Sequence, residues 1–174
     1  PASGSWARRC VEETGGSTTT KAILIEKGLL SEDAVDAVVQ RYEADTGPLL
    51  GARAVARAWL DSAYRTRLID AAPAAIAELG GSAEELRVVP NEDEVHNMVV
   101  CTLCSCYPWP VLGLPPYWYK SSEYRGRVVV EPRAVLSELG LEIDESTELR
   151  VWDSSAEIRY MVLPQRPEGT GDMS

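Results

Sequence analysis

The sequence predicts an α+β fold: a helical N-terminal arm leading into an α/β globular domain with short strands and a metal-claw loop. Two observations point there. The first half of the chain carries apolar residues at helical spacing, broken by caps and glycines, whereas the second half turns to short β-branched runs. Helices gathered ahead of strands, rather than alternating with them, argue against a doubly wound sheet. At 174 residues, with 45% hydrophobic and 25% charged side chains, the chain supports one sizeable core. The expected division is an arm over 1–47 and a metal-binding domain over 48–174.

Residues 1–20 are small and polar and read as an arm that is flexible or docked on a partner. A short helix is expected from Thr20 to Lys27, stopped by Gly28. Ser31 then caps a helix with Glu32 and Asp33 in its first turn, where carboxylates favour the positive end of the helix dipole. Val35, Val38, Val39 and Tyr42 give that helix one apolar stripe, and Asp45-Thr46-Gly47-Pro48 ends it. A further helix runs from Leu49 to Trp59. Another follows the Asp61 cap and ends at Gly80-Gly81, with a kink or break around Pro73.

Strands are expected at Leu86–Val89, Val95–Val100 and Val128–Val130. Two more, Leu149–Trp152 and Ile158–Leu163, are joined through Asp153-Ser154-Ser155-Ala156 as a hairpin. Pro132 and Gly140 frame a helix over Arg133–Leu139. The tail from Pro164 is rich in proline and glycine and is expected along the surface.

Several function classes are disfavoured. The formal net charge is −10 with no basic stripe, so neither nucleic acid nor an anionic membrane is an expected partner. No run approaches the roughly 20 apolar residues that span a bilayer. Cys101, Cys104 and Cys106 lie within six residues, while Cys10 stands far upstream. Cysteines so close make poor staples because they close almost no loop. The cluster reads as metal or redox chemistry in a reducing compartment, and a cytoplasmic location is expected.

The spacing C-x-x-C-x-C brings three sulfurs to one ion only if the backbone folds into a tight claw. Such a claw also turns the backbone nitrogens of Ser105 and Cys106 towards the ion. Thiolates and deprotonated amides are strong-field donors suited to Co(III) or Fe(III), whereas zinc would want a fourth thiolate or imidazole. A structural zinc site completed by Cys10 or His96 is the bland rival. A redox pair of Cys101 and Cys104 is another, although it leaves Cys106 without a role. Strand alternation places Val95, Asn97, Val99 and Cys101 on one face and His96 on the other, so His96 is expected to be packed or at the surface rather than a ligand.

The segment VCTLCSCYPWPVLGLPPYWYKSSEYRGRVV, Val100 to Val129, resembles the signature region of nitrile hydratase α subunits. The likeness extends through Glu131-Pro132-Arg133 and RVWDSSAEIRYMVLPQRP, and more weakly back through GARAVARAW. The resemblance implies hydration of a nitrile to its amide at a non-corrin Co(III) centre, with Fe(III) as the alternative metal. It implies sulfur ligands Cys101, Cys104 and Cys106 and amide donors Ser105 and Cys106, with Cys104 oxidised to sulfinic and Cys106 to sulfenic acid. Cys106, Ser105 and Cys104 would then carry the catalysis. Thr102 and Tyr107 match the cobalt pattern of the family, and Trp109 separates it from thiocyanate hydrolase, which shares the claw.

Implied partners are a β-type subunit supplying arginines to the site, a cobalt-insertion activator protein and a small-molecule nitrile. Asp153, Glu157 and Arg159 are candidates to brace the claw or its partner; the competing reading is turn and surface ion-pair residues. Trp109 is expected to line a pocket, and Tyr117, Trp118 and Tyr119 to pack the loop or an interface. The family's near-site glutamine falls on Ser82, and the chain stops soon after Gly169-Thr170-Gly171. Both departures point to a variant branch such as the toyocamycin nitrile hydratases.

Overall fold

The computed structural model describes residues 22–34, 37, 48–104 and 106–170. Residues 22–26 are helical and end where Gly28 takes a φ of +66°, with Leu29 N–H bonded back to Leu24. Ser31 caps the next turn, its Oγ accepting from Ala34 N–H at 3.1 Å. The expected stripe of Val35, Val38, Val39 and Tyr42 lies outside the described residues, as do the arm over 1–20 and Cys10.

Helix α1 (Pro48–Leu60) buries the small residues Gly51, Ala54 and Ala58 on one face. Gly51 is required by close approach, since a Cβ there would stand 2.8 Å from both Leu112 and the carbonyl of Val111. That contact seats α4 (Trp109–Leu112), the helical turn that follows the cysteine cluster. Asp61 caps α2 (Ser62–Asp70), accepting from Tyr64 N–H at 2.9 Å. The expected break falls at Ala71, with φ −143°. Pro73 then opens α3 (Ala72–Ala77), because its ring clashes with the preceding turn of a continuous helix.

The sheets are two parallel pairs. Strand β1 (Leu86–Pro90) pairs with β4 (Arg159–Leu163), and β2 (Val95–Val100) with β3 (Glu148–Asp153). Helices α1 to α3 cover the first pair around Tyr64, Leu68, Ile76, Leu86 and Met161. Helices α5 (Tyr117–Lys120), α6 (Ser122–Arg127) and α7 (Pro132–Glu138) cover the second around Val100, Tyr124, Val128 and Val135. The pairs meet where β2 touches β4. Buried Asn97 ties them: its Nδ2 donates to Pro90 O at 2.7 Å, and its Oδ1 accepts from Trp152 Nε1 at 2.7 Å.

Two expectations fail. Val128–Val130 is not a strand; it is the turn that closes α6, with Val128 N–H bonded to Tyr124 O and Glu131 N–H to Arg127 O. The Ser121 cap starts a helix whose register buries Val128 and leaves Val130 exposed. The Asp153–Ala156 hairpin is also absent. Ser154 N–H bonds to Val100 O at 2.6 Å, which carries the chain from one sheet to the other, and β3 and β4 each find a parallel partner. The helices expected over 49–80 and 133–139 and the other four strands fall within a few residues of expectation, with Gly140 at φ +88° after α7, whereas α4, α5 and α6 were not expected. The tail begins against α1, where Trp59 Nε1 donates to Pro164 O at 2.8 Å. No helix among the described residues is long and apolar enough to cross a membrane.

Candidate metal centre

Strand β2 ends at Val100 and delivers Cys101 fully buried, with Cys106 half-buried and Cys104 exposed. Their sulfurs all lie within 4.8 Å of one another, and no disulfide joins them. Cys104 Sγ stands 3.4 Å from Cys101 Sγ and 3.3 Å from Cys106 Sγ. For metal–sulfur bonds of about 2.3 Å, ligands at right angles stand about 3.3 Å apart and tetrahedral ligands about 3.8 Å. The spacing therefore fits right-angled coordination. No histidine joins this cluster among the described residues. Ser105 lies outside the described residues.

Burial and the hydrogen bonds to Cys104 and Cys101 push the Cys106 thiol up to about 12. A metal ion reverses that order, since a coordinating thiol gives up its proton to the ion.

The loop is held from both sides. Asp153 accepts Thr102 N–H at 2.9 Å through one carboxylate oxygen and the Thr102 hydroxyl at 2.6 Å through the other. The β2–β3 register, which sets Val100 opposite Asp153, puts that carboxylate there. Tyr119 donates its hydroxyl to the Cys106 carbonyl at 2.9 Å and meets the Tyr107 ring edge-on at 5.1 Å. Tyr124 donates to Val99 O at 2.8 Å. Burial raises all three phenols, which keeps them neutral. Trp118 and Tyr119 therefore pack the loop, as expected.

A cavity of about 440 Å³ opens beside Cys104 and Cys106, walled by Leu86, Pro108, Trp109 and Pro110. Trp109 lines it and is 43% exposed. Arg159 lines it too, its guanidinium 2.8 Å from Glu85. Of the three bracing candidates, Asp153 contacts the claw and Arg159 reaches the cavity. Glu157 instead accepts from Ser155 Oγ at 2.8 Å in its own turn, and that bond holds its carboxyl below the usual range. His96 is half-buried and bonded to Asn91 at 3.2 Å, away from the sulfurs. Residue spacing gave no sign of Tyr124 or of Arg125, whose Nη1 donates to Thr102 O at 3.3 Å. Their only signal is membership of the matching segment.

The sequence family described as "Nitrile hydratase, alpha chain" matches residues 14–174. The low-molecular-weight cobalt-containing nitrile hydratase subunit alpha of Rhodococcus rhodochrous is 53% identical over 173 residues, covering 98% of this chain and 84% of its own. Thiocyanate hydrolase subunit gamma of Thiobacillus thioparus is 42% identical over 164 residues, covering 86% and 67%. Among solved structures, a double-histidine mutant of the Fe-type nitrile hydratase from Comamonas testosteroni Ni1 superposes with a TM-score of 0.78 at 39% identity, covering 94% of this chain and 82% of the other. With its claw at the mouth of a cavity and a match across nearly its whole length, the chain belongs to the nitrile hydratase alpha chain family.

Proposed function

We propose that this chain is the catalytic α subunit of a cobalt nitrile hydratase, converting a nitrile to the corresponding amide. The observation that carries the reading is the convergence of three thiol sulfurs, neighbours 3.3 and 3.4 Å apart, at the mouth of a cavity walled by Trp109. Cys101, Cys104 and Cys106 would hold the ion through sulfur, with the backbone nitrogens of Ser105 and Cys106 completing the claw. Thr102 and Tyr107 support cobalt over iron by their match to the family's cobalt pattern. Bound there, the ion supplies Lewis acidity toward a small substrate in the cavity.

The chain's own residues do the rest. Asp153 fixes the Thr102 turn and so the spacing of the sulfurs. Cys104 and Cys106 border the cavity, so a Cys106 sulfenate, formed from the thiol by dioxygen, would be placed to add its oxygen to the nitrile carbon; water would then restore the sulfenate oxygen as the imidate leaves and becomes the amide. Leu86, Pro108, Trp109 and Pro110 exclude water and receive the nitrile's substituent, while Glu85 holds Arg159 at the rim. Exposed Cys104 and Leu103 leave the outer face open to a β-type subunit that contributes arginines. Loading requires a cobalt-insertion activator.

Thiocyanate hydrolysis is the second reading, favoured by the gamma-subunit relative. It stands behind because identity to the nitrile hydratase subunit is higher and Trp109 departs from the thiocyanate hydrolase pattern. The test is metal analysis of the protein copurified with its partner, with mass spectrometry of the 101–106 segment. Near-stoichiometric cobalt, oxygen added to Cys104 and Cys106, and amide formed from a nitrile are the expected results. Carbonyl sulfide and ammonia from thiocyanate, without amide, would establish the second reading. Exchangeable zinc on cysteines that stay unoxidised after aerobic cobalt loading would overturn both.

A further inference from the structure

Arg125, on α6, donates from Nη1 to the carbonyl of Thr102 at 3.3 Å. Its Nε is sealed from solvent and has no hydrogen-bond partner among the described residues. Arg127, two residues on, is paired with Glu131 and Glu138, and Arg57, Arg67, Arg150 and Arg159 each have a glutamate. No such pair forms at Arg125 among the described residues. The nearby carboxylate of Asp153 is bonded to the N–H and hydroxyl of the same Thr102.

A shielded guanidinium N–H without an acceptor is costly unless negative charge stands close by. Thr102 lies between Cys101 and Cys104, so a loaded claw would place negative charge one residue from the carbonyl that Arg125 holds, beside the carboxylate of Asp153. Three thiolates balance a trivalent ion, and two deprotonated amides would leave the loaded claw net negative.

We infer that Arg125 is a positioning residue for the claw, holding the Thr102 carbonyl and supplying from within this chain the positive charge that the loaded claw needs. The inference rests on the cobalt reading above. Arg125 touches neither substrate nor sulfur. It acts through the Thr102 turn and through its charge. The charge matters more than the fork, so lysine should substitute for it and glutamine should not.

The experiment compares R125Q and R125K with the wild-type cobalt-loaded complex. It reads the loss of cobalt to a chelator, the sulfur-to-cobalt absorption band, the oxidation of the 101–106 peptide and the melting temperature. R125Q should melt within a few degrees of wild type, lose cobalt on the order of tenfold faster or more, and show a shifted band. R125K should restore both readings most of the way. Wild-type retention and band in R125Q would overturn the inference. So would equal impairment of both variants with a lowered melting temperature, which would make Arg125 a packing residue. Wild-type protein that binds no cobalt would fail before any substitution and would take the claw reading with it.

Discussion

The side-chain oxygen of Asn91 accepts the backbone N–H of Asn97 at 2.8 Å, which leaves its amide nitrogen facing Nδ1 of His96 at 3.2 Å. An amide nitrogen only donates, so Nδ1 accepts and the ring is neutral, with its proton on Nε2. Burial acts in the same direction and lowers the His96 pKa. The sign for stability follows. Above the ordinary imidazole value of about 6.5 the ring is neutral in both the folded and unfolded chain, and the group adds no pH dependence. As pH falls below that value the unfolded chain takes up a proton that the folded chain resists, and stability drops until the folded pKa is passed. Urea midpoints measured from pH 7.5 to 5 should therefore fall more steeply for wild type than for H96N. Parallel curves would show that His96 carries no such burden. At the same scale, the cysteine cluster was legible because its spacing is itself the signal. Asp153 was legible only as a candidate, because its partner Thr102 is 51 positions away.

Local signals carried most of the elements. The Asp61 cap, the Pro73 break and the Pro132–Gly140 frame each act within one turn, and each is where the spacing placed it. Strand partners are set by contacts far apart in the chain, such as Ser154 to Val100, and Asp153-Ser154-Ser155-Ala156 looks like a hairpin turn to any local rule. Val128-Val129-Val130 misled in a different way. Its β-branched residues favour a strand, but the Ser121 cap and the helical bonds that close α6 override that weak preference. The two conformations differ in which valines they bury. A strand would place Val128 and Val130 on one face, whereas the turn leaves Val130 80% exposed and buries Val128 fully. Val128→Ala should then cost about 2 kcal/mol, two methyl groups plus the cavity they leave. Val130→Ala should stay within about 0.5 kcal/mol. Chemical denaturation of the two variants checks this, and equal losses would favour the strand.

At the scale of the whole molecule, two helix-covered parallel pairs hold the claw at the seam between them and leave its outer side bare. Leu103, between Cys101 and Cys104, is 86% exposed, and Trp109 in the cavity wall is 43% exposed. An exposed leucine adds nothing to the fold of this chain, and a single one is ordinary on a protein surface. Its position is the argument: the proposed metal centre would need a lid to exclude water, and none of the described residues covers Leu103. A β-type subunit seated there would bury Leu103 at the centre of the interface, where truncations cost 2 kcal/mol or more, roughly a 30-fold loss of affinity. L103D should therefore leave the melting of the separate chain unchanged while weakening assembly with the partner at least that far. V130D, a comparably exposed site on the turn after α6, should assemble normally. Titration of the partner subunit against each variant reads the difference directly. Equal affinities for L103D and wild type would mean that the partner closes over the claw from elsewhere, and that the cavity beside Trp109 stays open to solvent in the assembled enzyme.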